Sequence, residues 1–230
     1  MTAGSGLQHS EMFPLVDEVR PNPLELFQIW INLPKAGKFV EPHYKMLWAE
    51  QIPKHNVKDD NGKSTAITVV AGSFGGLKPP PPPPDSWAAK EENEIAIWLL
   101  RMEAGATCRL PAASESAFRS LYFHRGTEIR VAGQTVTAYR SIDLHAGREV
   151  LLENGPDESH ILMLQGRPIQ ERVVQYGPFV MNSEEEIQKA FTDYRRTEFG
   201  GWPRPEADQA HDPSLGRFAR YADGSEEIPS

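Results

Sequence analysis

Between residues 26 and 33 the chain reads LFQIWINL, with Phe27, Ile29, Ile31 and Leu33 at alternate positions and Gln28, Trp30 and Asn32 between them. A period of two is the pattern of a strand with one buried face, so this segment is predicted as a core strand. AITVVAG at 66–72 is β-branched and runs into the glycine-rich GSFGG, which predicts a strand and then a tight turn. GSFGG lacks the spacing and the strand-to-helix context of a nucleotide-binding loop. Pro34, Pro42 and Pro53 exclude a helix in between. Short strand patterns then recur: EIAIWLLR (94–101), SLYFHRG (120–126), TEIRV (127–131), QTVTAYR (134–140), EVLLEN (149–154) and SHILMLQG (159–166). Glycines at 105, 126, 133, 147, 155 and 166 punctuate them at intervals suited to an all-β barrel or sandwich.

The period changes once, after residue 182. Ser183 and Glu186 have the spacing of a capping box, and Ile187, Ala190, Phe191 and Tyr194 form an i, i+3, i+4, i+7 stripe. Arg195 and Arg196 sit where the negative end of the helix dipole would be, and Gly200 and Gly201 supply a stop. A helix laying its apolar stripe on a barrel is expected. The rest, to residue 230, is rich in Pro, Gly and charge and reads as a surface tail.

Six consecutive prolines at 79–84 cannot donate backbone hydrogen bonds and favour an extended polyproline rod. Such a run can be a ligand for aromatic-grooved modules, but a stiff spacer between domains is the simpler reading. The expected divisions are therefore 1–78, a linker at 79–86, a second domain at 87–182, and the helix with its tail at 183–230.

Composition narrows the function classes. The 230 residues are 39% hydrophobic, enough to core one large domain or two small ones. Twenty-four basic against 32 acidic residues give a net charge of −8, which argues against direct nucleic-acid binding. Cys108 is the only cysteine, so neither an intramolecular disulfide nor a four-cysteine zinc site can form, in keeping with a reducing, cytoplasmic setting. No stretch of 18 apolar residues suggests a membrane span, and the first 25 residues do not read as a secretion signal.

Candidate chemistry lies at the start, in GLQHSEM. In extended chain, residues i and i+2 point to one face, so His9 and Glu11 could reach the same metal ion or substrate. His124, His145 and His160 fall on or beside predicted strands without the HxH-plus-glutamate pattern of a metal site, and read as structural. Trp30, Trp48, Trp87, Trp98 and Trp202 read as core or interface aromatics.

Taken together, MTAGSGLQHSEM, LFQIWINLP, EPHY, QIPKHNV, VVQYGPFVMNSEEEIQKAFTDY and TEFGGWP closely resemble the pirin family over essentially the whole chain. The resemblance implies an all-β fold of tandem cupin (double-stranded β-helix) barrels: a first barrel over 1–78, a second over 87–182, then the C-terminal helix. It implies iron, or another divalent metal, in the first barrel, held by three histidines and a glutamate, of which one histidine and the glutamate fall on His9 and Glu11. The family's other two histidines come from an HxH motif upstream of this stretch. The first barrel is therefore expected to be incomplete, with half the ligand set absent and exposed edges that favour self-association. His43 and His55 are weak candidates for stand-in ligands. Several family members are quercetin 2,3-dioxygenases, so a flavonol-like small molecule is the implied substrate, with Glu11 as the carboxylate that takes its hydroxyl proton. Some eukaryotic members act as metal-sensitive transcription cofactors, so the alternative is a non-enzymatic binding or regulatory protein.

Overall fold

The computed structural model describes residues 1–13, 15, 17–206 and 211–229. Its strands are β1 (Lys54–Lys58), β2 (Ser64–Ala71), β3 (Ala96–Met102), β4 (Thr107–Leu110), β5 (Phe118–Arg125), β6 (Glu128–Val131), β7 (Gln134–Thr137), β8 (Arg140–His145), β9 (Val150–Asn154), β10 (Ser159–Gly166), β11 (Val174–Tyr176), β12 (Phe179–Met181), β13 (Ala219–Arg220) and β14 (Glu226–Glu227), with α1 at Glu184–Thr197. The chain forms two compact units, one from Leu47–Pro82 and Trp87–Pro168, the other from Met1–Met46, Pro83–Ser86 and Ile169–Ser230.

In the first of these units, alternation builds a barrel from two antiparallel sheets. One has the order β1-β2-β3-β10-β5-β8 and the other β4-β9-β6-β7. Register aligns the inward residues in rows: Ile67, Leu100, Ile161 and Phe123 across four strands, then Val69, Trp98, Met163, Leu121 and Ile142 across five. The smaller sheet contributes Cys108, Leu110, Ile129, Val131, Val150 and Leu152 to the same core. Each fully buried aliphatic or aromatic side chain here stabilises the fold by about 1.5–3 kcal/mol.

Polar pins fix the sheets to their turns. Asp59 accepts hydrogen bonds from the backbone N–H groups of Asn61, Lys63 and Thr107, each at 2.9 Å, and so ties the β1–β2 turn to β4. Asn154, at the end of β9, donates through Nδ2 to the carbonyls of Met102, Glu103 and Asp157. In GSFGG, Phe74 and Leu77 exchange backbone hydrogen bonds around Gly75 and Gly76, both at positive φ, which is the expected tight turn. Gly126 has φ +127, and a Cβ there would lie 2.3 Å from Ser159 Oγ.

The prolines do not separate two sheets. β2 before the run and β3 after it are antiparallel neighbours, from Thr65↔Met102 onward, so 79–84 lies within the connection between paired strands. Strand propensity was legible on both sides, but pairing is a matter of backbone partners: β3 supplies the hydrogen-bonding edge that β2 needs. Strand β1 is an edge strand whose inner positions His55 and Val57 are only half-buried.

The other unit departs further from expectation. Residues 26–31 keep their alternation in exposure while Asn32 and Leu33 are both half-buried, yet the segment forms no strand, because no described segment pairs with it. Trp30 is exposed, as Trp48 and Trp98 are not. Helix α1 begins as predicted, with the Ser183 hydroxyl accepting from the Glu186 N–H at 3.3 Å. Glu186 reaches back to the N–H of Asn182 at 2.9 Å, one residue earlier than a standard capping box. The helix ends at Glu198, in left-handed conformation, ahead of the two glycines. Its stripe meets the β11–β12 hairpin: the Phe191 ring lies 4.8 Å from Phe179 and 5.7 Å from Tyr176, both edge-on.

Candidate functional site

The Gly-rich opening is held by backbone pairing rather than by a strand. Thr2 and His43 exchange N–H···O hydrogen bonds of 2.8 and 2.9 Å, and the Ser5 N–H donates to the Val40 carbonyl at 2.9 Å. A few residues beyond these bridges, His9 Nδ1 stands 3.7 Å from Glu11 Oε1. The i, i+2 reading thus brings the two groups together. At this separation they do not hydrogen-bond to each other, which leaves nitrogen and oxygen lone pairs free. Their side chains are 31% and 58% exposed, so a solute can reach both.

The Tyr44 hydroxyl belongs to the same neighbourhood. Its pKa is raised, first by burial and then by the negative charges of Glu11 and Glu227. Tyr44 packs edge-on to Tyr221 at 5.5 Å, and the Tyr221 hydroxyl donates to Glu227 at 2.7 Å. Sequence reasoning did not select Tyr44; its one signal was its place beside His43 in EPHY.

Does this set suit a divalent metal? Donors about 2.1 Å from an ion lie roughly 3.0–3.4 Å apart in octahedral or tetrahedral geometry, so a small rotamer change would let His9 and Glu11 share one. A third ligand is another matter. Among the described residues, no group of three or more His, Cys, Asp or Glu side chains is placed to hold a metal. The residues present therefore fit two ligand positions and do not by themselves fit a resident metal centre.

The other histidines considered from sequence lie elsewhere. His43 Nε2 lies 3.3 Å from Asp85 Oδ2, and His55 packs edge-on against Phe74 at 5.6 Å. A bulge opposite His160 makes His124 the extra residue of β5, and the two rings meet edge-to-face at 6.0 Å. His160 Nε2 is 3.0 Å from Glu158 Oε1, whose other oxygen accepts from Arg101 Nε at 2.8 Å. Those contacts hold Glu158 below the usual carboxylate range, the His160 hydrogen bond first. His145 ends β8 opposite Phe118.

Two antiparallel sheets closed on one apolar core, with a helix following in sequence, define this chain as a cupin protein. Residues 97–200 match the model of the pirin C-terminal cupin domain, and the chain is similar to proteins named pirin over most of its length. It is 32% identical to pirin of Rattus norvegicus over 201 residues and 31% identical to pirin of Homo sapiens over 203, in each case covering 87% of this chain. It spans 64% of the length of each of those relatives. Among solved structures, a quercetin 2,3-dioxygenase from Acinetobacter baumannii superposes with a TM-score of 0.61 at 26% identity, covering 74% of this chain and 55% of that one. Among the described residues, no helix is long and apolar enough to cross a membrane.

Proposed function

We propose that this chain is a pirin-type cupin related to the quercetin 2,3-dioxygenases, in which His9 and Glu11 supply two ligands to iron or another divalent metal in a site for a flavonol-like small molecule. The observation that carries the reading is the convergence of an accessible imidazole and an accessible carboxylate at 3.7 Å. The named relatives and the solved dioxygenase support it. Glu11 is the group with a free oxygen to take a proton from a bound hydroxyl. Two donors hold a divalent ion too weakly to fix its geometry, so flavonol cleavage by this chain alone is expected to be impaired. Cys108, 2% exposed, suits a reducing cytoplasm.

The test is metal stoichiometry by plasma mass spectrometry on the full chain after loading with ferrous iron, beside a His9→Ala, Glu11→Ala double variant. The expected result is partial, readily chelated iron in the wild type and less in the variant, with little quercetin turnover by either. Equal iron in the two proteins, or none in both, would overturn the assignment of these residues.

A further inference from the structure

In the unit that contains Met1–Met46, one stretch of backbone is left without partners. From Gln28 to Leu33, no backbone N–H or C=O group hydrogen-bonds to any described residue. Folded proteins pair nearly all such groups, and a run of them left open is the edge of a ladder that has no second strand. Side chains along it alternate: Gln28 and Trp30 are exposed, Ile29 and Ile31 half-buried. On the exposed face Leu26 and Trp30 keep 57% and 54% of their surface in solvent. Both faces thus carry large apolar side chains, the composition of a strand inside a sheet rather than at its rim.

This segment is complementary to itself. Antiparallel pairing of two copies about a two-fold axis at Trp30 sets residues equally far before and after Trp30 opposite each other. Ile29 then faces Ile31, Phe27 faces Leu33 and Gln28 faces Asn32, apolar against apolar and amide against amide. Asn32 Oδ1 accepts from Lys38 Nζ at 2.8 Å, which leaves its amide nitrogen to donate to Gln28 of the second copy. At the ends Glu25 meets Lys35, of opposite charge, whose side chain is 68% exposed beside Glu186. A slip of two residues loses the match, setting Glu25 against Leu33 in one direction and Phe27 against Lys35 in the other. Pro34 fixes the alternation of the ladder: it is extended, at φ −62 and ψ 158, and has no N–H. With Trp30 at a non-hydrogen-bonded position, Pro34 faces Leu26 at another, where no N–H is called for, while Ile29 and Ile31 exchange their bonds.

We propose that residues 26–34 form the interface of a homodimer, pairing antiparallel with the same segment of a second copy about a two-fold axis at Trp30. The two Trp30 rings meet there on the exposed face, at the closer of the two cross-strand separations. The partner is a second copy because each copy offers what the other lacks, which is the condition for an isologous interface. Any strand could satisfy the open backbone, but the Gln28–Asn32 and Glu25–Lys35 matches select this sequence run in the opposite direction. No charged residue lies between Leu26 and Pro34 to blunt the edge.

Sedimentation velocity on the full chain reads the assembly, and the wild type is expected as a reversible dimer in the micromolar range. Trp30→Lys, a change at an exposed residue, sets two like charges opposite each other and should raise the dimer dissociation constant at least about tenfold while the circular dichroism spectrum stays native. Because any exposed apolar patch can drive association, disulfide trapping tests the register separately. Cys108, 2% exposed, stays out of that reaction. Trp30→Cys puts the two sulfurs across a non-hydrogen-bonded pair, within bridging reach, and should oxidise to a covalent dimer. Leu26→Cys, at a residue no less exposed, puts them about 27 Å apart along the paired strands and should remain a single chain on a denaturing gel. A wild type that is monomeric throughout the micromolar range, an undiminished dimer in Trp30→Lys, or equal cross-linking of the two cysteine variants would each overturn the proposal.

Discussion

Replacing Asn154 tests how the barrel is fastened. Its amide nitrogen reaches three carbonyls, Met102 at 3.1 Å, Glu103 at 2.8 Å and Asp157 at 2.8 Å, and the residue is 9% exposed. Nδ2 has only two protons, so the three contacts share two full hydrogen bonds. At about 1 kcal/mol net for each bond, and somewhat more for carbonyls left buried and unpaired, Asn154→Ala should cost roughly 2–3 kcal/mol. With a urea m-value of about 1–3 kcal/mol/M, the midpoint should fall by on the order of 1 M at unchanged slope, followed by tryptophan fluorescence. Asn154→Asp is the sharper perturbation. It keeps the shape but turns a donor into an anionic acceptor facing three carbonyl oxygens, so at pH 7 it should be less stable than Asn154→Ala. Its deficit should shrink as the pH falls and the new carboxyl gains a proton. An Asn154→Asp protein as stable as wild type at pH 7 would refute the assignment of this amide as a donor pin.

Two further outcomes follow from charge and burial. Burial pushes the Cys108 thiol up to about 11. The folded protein should therefore resist iodoacetamide at pH 8 and react only on unfolding, and this thiol's contribution to stability should be lost progressively above about pH 8.5, where the unfolded thiol ionises and the folded one does not; rapid labelling of the native chain would contradict this. The Asp59 carboxyl is held below its usual range, first by the Thr107 N–H. A depressed folded pKa gives stability that is present above the unfolded value of about 3.9 and is lost as pH falls through the folded one, so Asp59→Asn should show a shallower loss of stability below pH 4 than wild type. Superimposable acid limbs in circular dichroism would count against the Asp59 hydrogen bonds.

Much of the architecture was legible in the chain because alternation and capping are local. The patterns at 94–101, 120–126, 149–154 and 159–166 became β3, β5, β9 and β10, and Ser183 capped the helix where its spacing to Glu186 indicated. His9 and Glu11, two residues apart, bring Nδ1 and Oε1 within 3.7 Å, as a shared side of the chain allows. What the sequence could not decide was partnership. LFQIWINL has strand chemistry, yet a strand exists only where another backbone accepts its hydrogen bonds, and none of the described segments does. KHNVK has little strand chemistry, yet it is a strand because β2 offers an edge. The proline run looked like a border until the strands flanking it paired. Buried Arg119 has the same origin: its inward direction follows from the period of β5, but that it meets the neutral Gln165 Oε1 depends on a strand 46 residues further along the chain. Local periodicity fixed which face each side chain takes, and only the folding of distant segments onto one another settled what each face would meet.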